Sequence, residues 1–224
     1  MTRSPYLPET PVSVKICGIS SPADYDACKT AGAAFVGLVF YPRSPRHLSL
    51  PAASAIADHA EAGNGGPARV ALTVDMDDAT LDAVVTAARP HYLQLHGNET
   101  PERAAAIRYR LGLPLIRAIR IASAADLDVC AKWDGIADWL LFDAKGDPER
   151  LPGGTGHSFD WSLLANHGGS ARWMLAGGLS AENVSRAVAV TGAQALDVSS
   201  GVELAPGKKD AARIQAFVRQ AQLR

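Results

Sequence analysis

The chain has 224 residues, 47% of them apolar and 20% charged, a soluble globular mix that can bury one sizeable core and lies far from disordered or fibrous compositions. Lys plus Arg number 22 against 23 Asp plus Glu, a formal charge of -1, which removes the bulk electrostatic case for nucleic acid or an anionic membrane as partner; any anion must be bound locally. The three cysteines, Cys17, Cys28 and Cys130, form no CxxC pair, so a disulfide framework is not expected and a reducing, cytoplasmic setting fits. No run approaches the ~20 apolar residues that cross a bilayer, and the opening MTRSPYLPETP lacks the apolar stretch of a secretory signal. Residues 1–11 read as a mobile Pro-rich tail, and 12–224 as one domain.

From Val12 onward, short apolar runs alternate with Ala-rich amphipathic segments. VSVKIC (12–17) predicts a strand, followed by a helix over 22–31 with a Ser cap and Pro22 in its first turn. AAFVGLVF (33–40) precedes a helix at 51–61, and EAGNGGPAR reads as the loop into ARVALTV (68–74), with a helix at 78–88. YLQLH (92–96) leads to a helix over 100–111 that Thr100 and Pro101 open; LPLIRAIR (113–120) leads to one over 123–132. DWLLFDA (138–144) is followed by the Gly-rich LPGGTGHSFDW, which fits neither GxGxxG nor a Walker A loop and is expected as a lid. A helix at 160–167, the strand RWMLAG (172–177), a helix at 180–190, the strand ALDVSS (195–200) and a helix at 208–222 complete the chain. Strands alternating with helices imply a parallel sheet with right-handed crossovers. Eight such units with no linker predict a closed (β/α)8 TIM barrel; a doubly wound sheet would need fewer strands or an evident edge strand.

In such a barrel the chemistry sits where the strands end. The exits carry Cys17, Tyr41 to Arg46, Asp75, His96, Arg120, Asp143, Gly177 and Gly178, and residues 197–201. Side chains alternate faces along a strand, so Cys17 shares its face with Lys15, His96 with Gln94, and Asp143 with Leu141. An ammonium beside a thiol favours the reactive thiolate. Each polar group alone has an ordinary alternative, a satisfied interior side chain. Several converging on one mouth are harder to assign to packing, because buried polar groups are costly. LAGGLS and DVSSGVE are small-residue loops at the seventh and eighth exits, the usual phosphate site of this fold, with a helix start expected nearby to add its dipole. The alternative is a pair of ordinary tight turns. Arg46 in SPRH can clamp a carboxylate bidentately, although a lone Arg is most often just solvated. The six His are scattered, without HExxH or a Cys/His cluster, so no metal is assigned.

Seven segments in order, VKICGIS, GLVFYPRSPRHLS, LQLHGNE, LLFDAKG, GGTGHSFDW, LAGGLSAENV and ALDVSSGVE…PGKKD, together resemble the phosphoribosylanthranilate isomerase family of tryptophan biosynthesis. The resemblance runs from about residue 12 to the C-terminus and covers every strand exit but the third and fifth. It implies a cofactor-free Amadori rearrangement of N-(5-phosphoribosyl)anthranilate to 1-(2-carboxyphenylamino)-1-deoxyribulose 5-phosphate. By the same resemblance Cys17 takes the position of the general base and Asp143 that of the general acid. Arg46 and His96 match residues on the anthranilate side, Asp197 a contact near the ribose, and Gly177, Gly178, Ser199, Ser200 and Gly201 the phosphate cradle. The third strand departs from the family: it reads VALTVDMDD, with Asp75 and Met76, where the family usually has an apolar run with a Phe and then an Asn. The implied partner is a small phosphorylated molecule. With no long exposed apolar face in the pattern, a monomer is expected, with a dimer as the alternative. Two other readings compete: a related phosphoribosyl-compound isomerase of dual substrate range, and a non-catalytic phosphate-ligand binder. The second has no need of both Cys17 and Asp143.

Overall fold

Eight parallel strands pair in chain order and close on themselves: β1 (Ser13–Cys17), β2 (Phe35–Phe40), β3 (Ala68–Thr73), β4 (Tyr92–Leu95), β5 (Leu115–Ile121), β6 (Trp139–Ala144), β7 (Arg172–Leu175) and β8 (Ala195–Val198), with β8 returning to β1. The computed structural model describes residues 11–63, 65–144, 160–165, 167 and 171–223. Of the expected tail over 1–11, residues 1–10 lie outside them, as do 151–159 of the expected lid over 151–161. The (β/α)8 TIM barrel read from the alternation is the observed architecture. All eight strands fall where the apolar runs stand, within about two residues at most ends, the usual spread of such boundaries.

Among the described residues six α-helices follow strands: α1 (Pro22–Ala31), α2 (Leu50–Ala62), α3 (Asp78–Ala88), α4 (Pro101–Leu111), α5 (Val184–Thr191) and α6 (Ala211–Gln222). The caps explain several starts. Ser21 and Thr100 accept from the amides of Asp24 and Arg103, each with a proline in the first turn, where the missing N–H costs nothing.

Two further described segments correct the sequence reading. Ala124–Trp133 and Trp161–Leu164 are 3-10 helices. The first of them contains Asp126, Asp128, Val129 and Cys130, all weak helix formers. It buries only Trp133, so tertiary packing does not supply what propensity lacks. α5 also begins four residues later than expected. The Asn183 side chain accepts from Ser180 N and donates to Gly178 O, both at 2.8 Å, which closes residues 180–183 into a turn instead. α6 starts at Ala211 because Lys208–Lys209 (β10) pairs antiparallel with Glu203–Ala205 (β9), a ribbon the apolar pattern did not announce.

The barrel interior is filled in layers. Val70, Ile116, Ala118, Leu141, Met174, Ala176 and Ala195 pack with Phe35, Tyr92 and Trp139 in its lower part; Cys17, Val39 and Leu72 pack with Tyr41 and Val74 near the mouth. The outward faces of the strands meet the helices in the main core.

The atypical third exit has a local explanation. Asp75 stands at φ 49°, in the left-handed region that Asp and Asn enter more readily than other non-glycine residues. Its carboxylate accepts from Asn98 N at 2.6 Å, and its own N–H donates to Glu99 Oε1 at 2.8 Å. The second Glu99 oxygen accepts from Gly97 N at 2.9 Å and from Arg117 Nη1 at 2.7 Å. Asp75 thus combines a hydrogen-bond acceptor with tolerance for positive φ.

Candidate active site

β1 presents Lys15 and Cys17 to the interior, as the two-residue period requires. Lys15 is fully buried, and its ammonium donates to Asp197 Oδ1 on the neighbouring β8 at 2.8 Å. Burial alone would push this ammonium towards neutrality, but Asp197 and then Cys17 outweigh it and its pKa is raised, so Lys15 stays charged. Cys17 lies opposite Gly37 in the β1–β2 register. A Cβ at residue 37 would stand 2.8 Å from the Cys17 sulfur, so the glycine leaves the thiol its space. Burial pushes the Cys17 thiol above its ordinary value; Lys15 and Lys209 pull it down and Asp197 adds to the rise. Lys15 therefore acts in the expected direction without prevailing, because desolvation disfavours the thiolate more strongly.

Arg46 folds back over the mouth, its stem passing Gly18: a Cβ at that glycine would come 2.6 Å from Arg46 Cδ. Its guanidinium grips Glu203 bidentately, Nε to Oε1 at 2.8 Å and Nη2 to Oε2 at 2.7 Å, in a buried setting. Lys209 donates to the same Glu203 Oε1 at 2.7 Å and also to Ser199 O at 3.1 Å. Burial works against all three charges. The two cations nevertheless hold the Glu203 carboxyl below its usual range, and Glu203 keeps Arg46 high, while for Lys209 burial prevails and lowers its pKa. The sequence reading missed Glu203 and Lys209 as site residues. Their stretch, SSGVE…PGKKD, was in view, but nothing local in it says that two charges of the ribbon turn inward.

On the far side of the ring, Asp143 is the penultimate residue of β6. Its Oδ1 accepts from Ala144 N at 2.9 Å, and its Oδ2 lies 3.6 Å from His96 Nε2 at the end of β4. His96 Nδ1 lies 2.8 Å from Gln94 Nε2. Gly177, at φ 86°, closes against this group, since a Cβ there would sit 2.8 Å from Ala144 N and 3.3 Å from Asp143 Oδ1. Gly178 also has positive φ, 64°. Gly201 lies tight against the carbonyl of Leu179, which brings the β7 and β8 exit loops together. Ser199 and Ser200 stand in the second of these loops. The Ser199 hydroxyl donates to Cys17 O at 3.0 Å, linking that loop to β1.

One mouth thus brings together side chains from β1, β2, β4, β6 and β8 or the loops that follow them. Cys17, Lys15, Asp197, Ser199 and Arg46 lie on one side and His96 and Asp143 on the other, with the glycine loops between. A buried thiol and a buried carboxyl, surrounded by fixed cations and an imidazole, form an acid–base site with local capacity for anions.

The sequence and the fold are both similar to those of known proteins. The family model described as N-(5'phosphoribosyl)anthranilate (PRA) isomerase matches residues 14–220. The chain is 52% identical over 213 residues to N-(5'-phosphoribosyl)anthranilate isomerase of Parvibaculum lavamentivorans, covering 94% of this chain and 98% of that protein. The crystal structure of phosphoribosyl anthranilate isomerase from Thermotoga maritima superposes with a TM-score of 0.83 at 34% identity, over 94% of this chain and 98% of that one. A phosphoribosyl anthranilate isomerase solved in complex with reduced 1-(o-carboxyphenylamino)-1-deoxyribulose 5-phosphate gives 0.80 at 33% identity, over 94% and 98%. With this match over nearly its whole length, the chain belongs to the N-(5'-phosphoribosyl)anthranilate isomerase family.

Proposed function

We propose that this isomerase of tryptophan biosynthesis rearranges N-(5-phosphoribosyl)anthranilate without a cofactor, using Asp143 as general acid and Cys17 as general base. The observation that carries the reading is the placement of one thiol and one carboxyl on β1 and β6, both buried and both facing the same mouth. An aldose-to-ketose shift needs those two functions. Asp143 gives its proton to the ring oxygen while the anthranilate nitrogen pushes the ring open to an iminium ion. The Cys17 thiolate then removes the C2 proton, and the resulting enolamine tautomerises to the ketone. The charge on sulfur is met by the ammonium groups of Lys15 and Lys209.

For the phosphate we propose Gly177, Gly178, Ser199, Ser200 and Gly201. These are the loops after strands seven and eight that serve this purpose in the fold, with glycines that let backbone amides approach an anion. The family relative solved with a reduced phosphorylated product supports a small phosphorylated substrate. Arg46 and His96 would face the anthranilate, and Asp197, tethered by Lys15, the ribose. The test is a fluorescence assay following loss of phosphoribosylanthranilate. Steady consumption is expected, whereas binding without turnover would favour the silent phosphate binder.

Arg46→Ala is expected to raise KM roughly 10–100-fold, the scale of lost hydrogen bonds to a charged group, with kcat nearly kept. Steady-state kinetics beside thermal unfolding separates this from a purely structural role, in which only Tm would move.

We further infer a monomer. Among the described residues the exposed large apolar side chains, including Leu50, Tyr109, Val190 and Leu204, sit on separate elements. Light scattering giving twice the chain mass would overturn this. No helix among the described residues is long and apolar enough to cross a membrane. The free thiols of Cys17, Cys28 and Cys130 support a cytoplasmic location, which fractionation of the source cells would check.

A further inference from the structure

We infer that Gln94 is a positioning residue: its side-chain amide holds His96 in the tautomer that carries its proton on Nε2, aimed at Asp143. The inference rests on the reading of Asp143 as the acid. Gln94 and His96 are two residues apart at the end of β4 and so face the interior together. Gln94 is completely buried, and its Nε2 lies 2.8 Å from His96 Nδ1. An amide NH2 only donates. With the amide so placed, Nδ1 offers a lone pair and the ring proton sits on Nε2, which also turns an N–H, not a lone pair, towards Asp143 Oδ2.

That Nε2 is buried and has no hydrogen-bond partner among the described residues. The carboxylate oxygen facing it is Asp143 Oδ2, at 3.6 Å, too long for a hydrogen bond in this state but within the range that tightens when substrate closes a site. Asp143 Oδ1 already accepts from Ala144 N. Once Asp143 has given up its proton, the carboxylate left behind has one fixed donor on Oδ1, and the His96 N–H supplies the second on Oδ2. A buried carboxylate lacking such donors is costly, so the imidazole N–H lowers the barrier to proton release. With the amide of Gln94 reversed, its oxygen would draw the proton to Nδ1 and turn the Nε2 lone pair towards the carboxylate, which opposes ionisation.

Gln94 takes no part in bond making on this account; it acts through His96. The direct measurement is the ¹⁵N spectrum of the His96 imidazole in the intact protein, assigned by comparison with His96→Asn. A pattern with the proton on Nε2 is expected, and a proton on Nδ1 overturns the inference. Gln94→Glu places an acceptor on Nδ1 and should move the proton there. kcat should then fall roughly 10–100-fold, the scale of one hydrogen bond to a charged group, with KM within about twofold. Gln94→Met, which removes the lock without adding charge, should give mixed tautomers and a smaller loss. It also serves as the readout if the Glu variant fails to fold. Full kcat in a variant whose tautomer has changed overturns the inference. Asp143→Asn measured alongside separates the two readings. Near-normal turnover in that variant refutes the acid assignment itself, whereas its inactivation beside a fully active, tautomer-switched Gln94→Glu refutes only the role of Gln94.

Discussion

Cys17→Ser is expected to fold, to bind substrate and to lose about 10²–10⁴ in kcat, the usual contribution of a general base. Serine is close to cysteine in size, and Gly37 leaves the side chain its space, so thermal unfolding should change little. What is lost is acidity: a hydroxyl in this buried setting yields no usable anion. Near-normal turnover by Cys17→Ala would remove the thiol from the mechanism. The same assignment sets a pH dependence. The thiol is raised above its ordinary value by burial, and the reactive form is the thiolate. As long as Asp143 keeps the proton it must donate, kcat/KM of the free enzyme should therefore climb with pH and level off only beyond the ordinary thiol pKa. The serine variant should lack this alkaline rise. Stability follows the opposite sign. The buried neutral thiol contributes fully below the unfolded-state pKa, and that contribution is lost as pH rises through the higher folded-state value. Activity should thus increase on the alkaline side as the margin of stability narrows there.

Asp143→Asn should show a loss of similar size, about 10²–10⁴ in kcat, for a different reason. The amide oxygen of asparagine can still accept from Ala144 N, so the turn at the end of β6 keeps its hydrogen bond. The side chain has no proton of carboxylic acidity to deliver to the ring oxygen. Substrate binding, measured by fluorescence titration, should stay within severalfold, and thermal unfolding should place Tm near that of the parent. Turnover surviving this change would move the acid elsewhere on the mouth, with His96 the nearest candidate at 3.6 Å.

The elements that were legible in the sequence share a physical basis. Each strand is a short apolar run whose identity survives any packing detail, and the closed ring follows from repeated βα units and handed crossovers. Alternation along β1, β4 and β6 was enough to turn Lys15, Cys17, Gln94, His96 and Asp143 inward. Less legible were features set by competition. The segment 124–133 is periodic enough to suggest an α-helix, yet with only Trp133 buried it adopts 3-10 geometry. The start of α5 was displaced by the side chain of Asn183, a choice between capping a helix and closing a turn that propensity does not decide.

Residue types, their order and their strand alternation thus determined on their own the barrel, the location of its mouth and the side chains presented there. Tertiary structure decided which charges meet. Lys15 finds Asp197 at 182 residues' separation and Arg46 finds Glu203 at 157, pairings that ring closure and the β9–β10 ribbon create. It also decided the state of the thiol, because a pKa is set by the balance of desolvation against neighbouring charge. Lys15 beside Cys17 was readable as an activating neighbour; that burial outweighs it depends on everything packed around the sulfur.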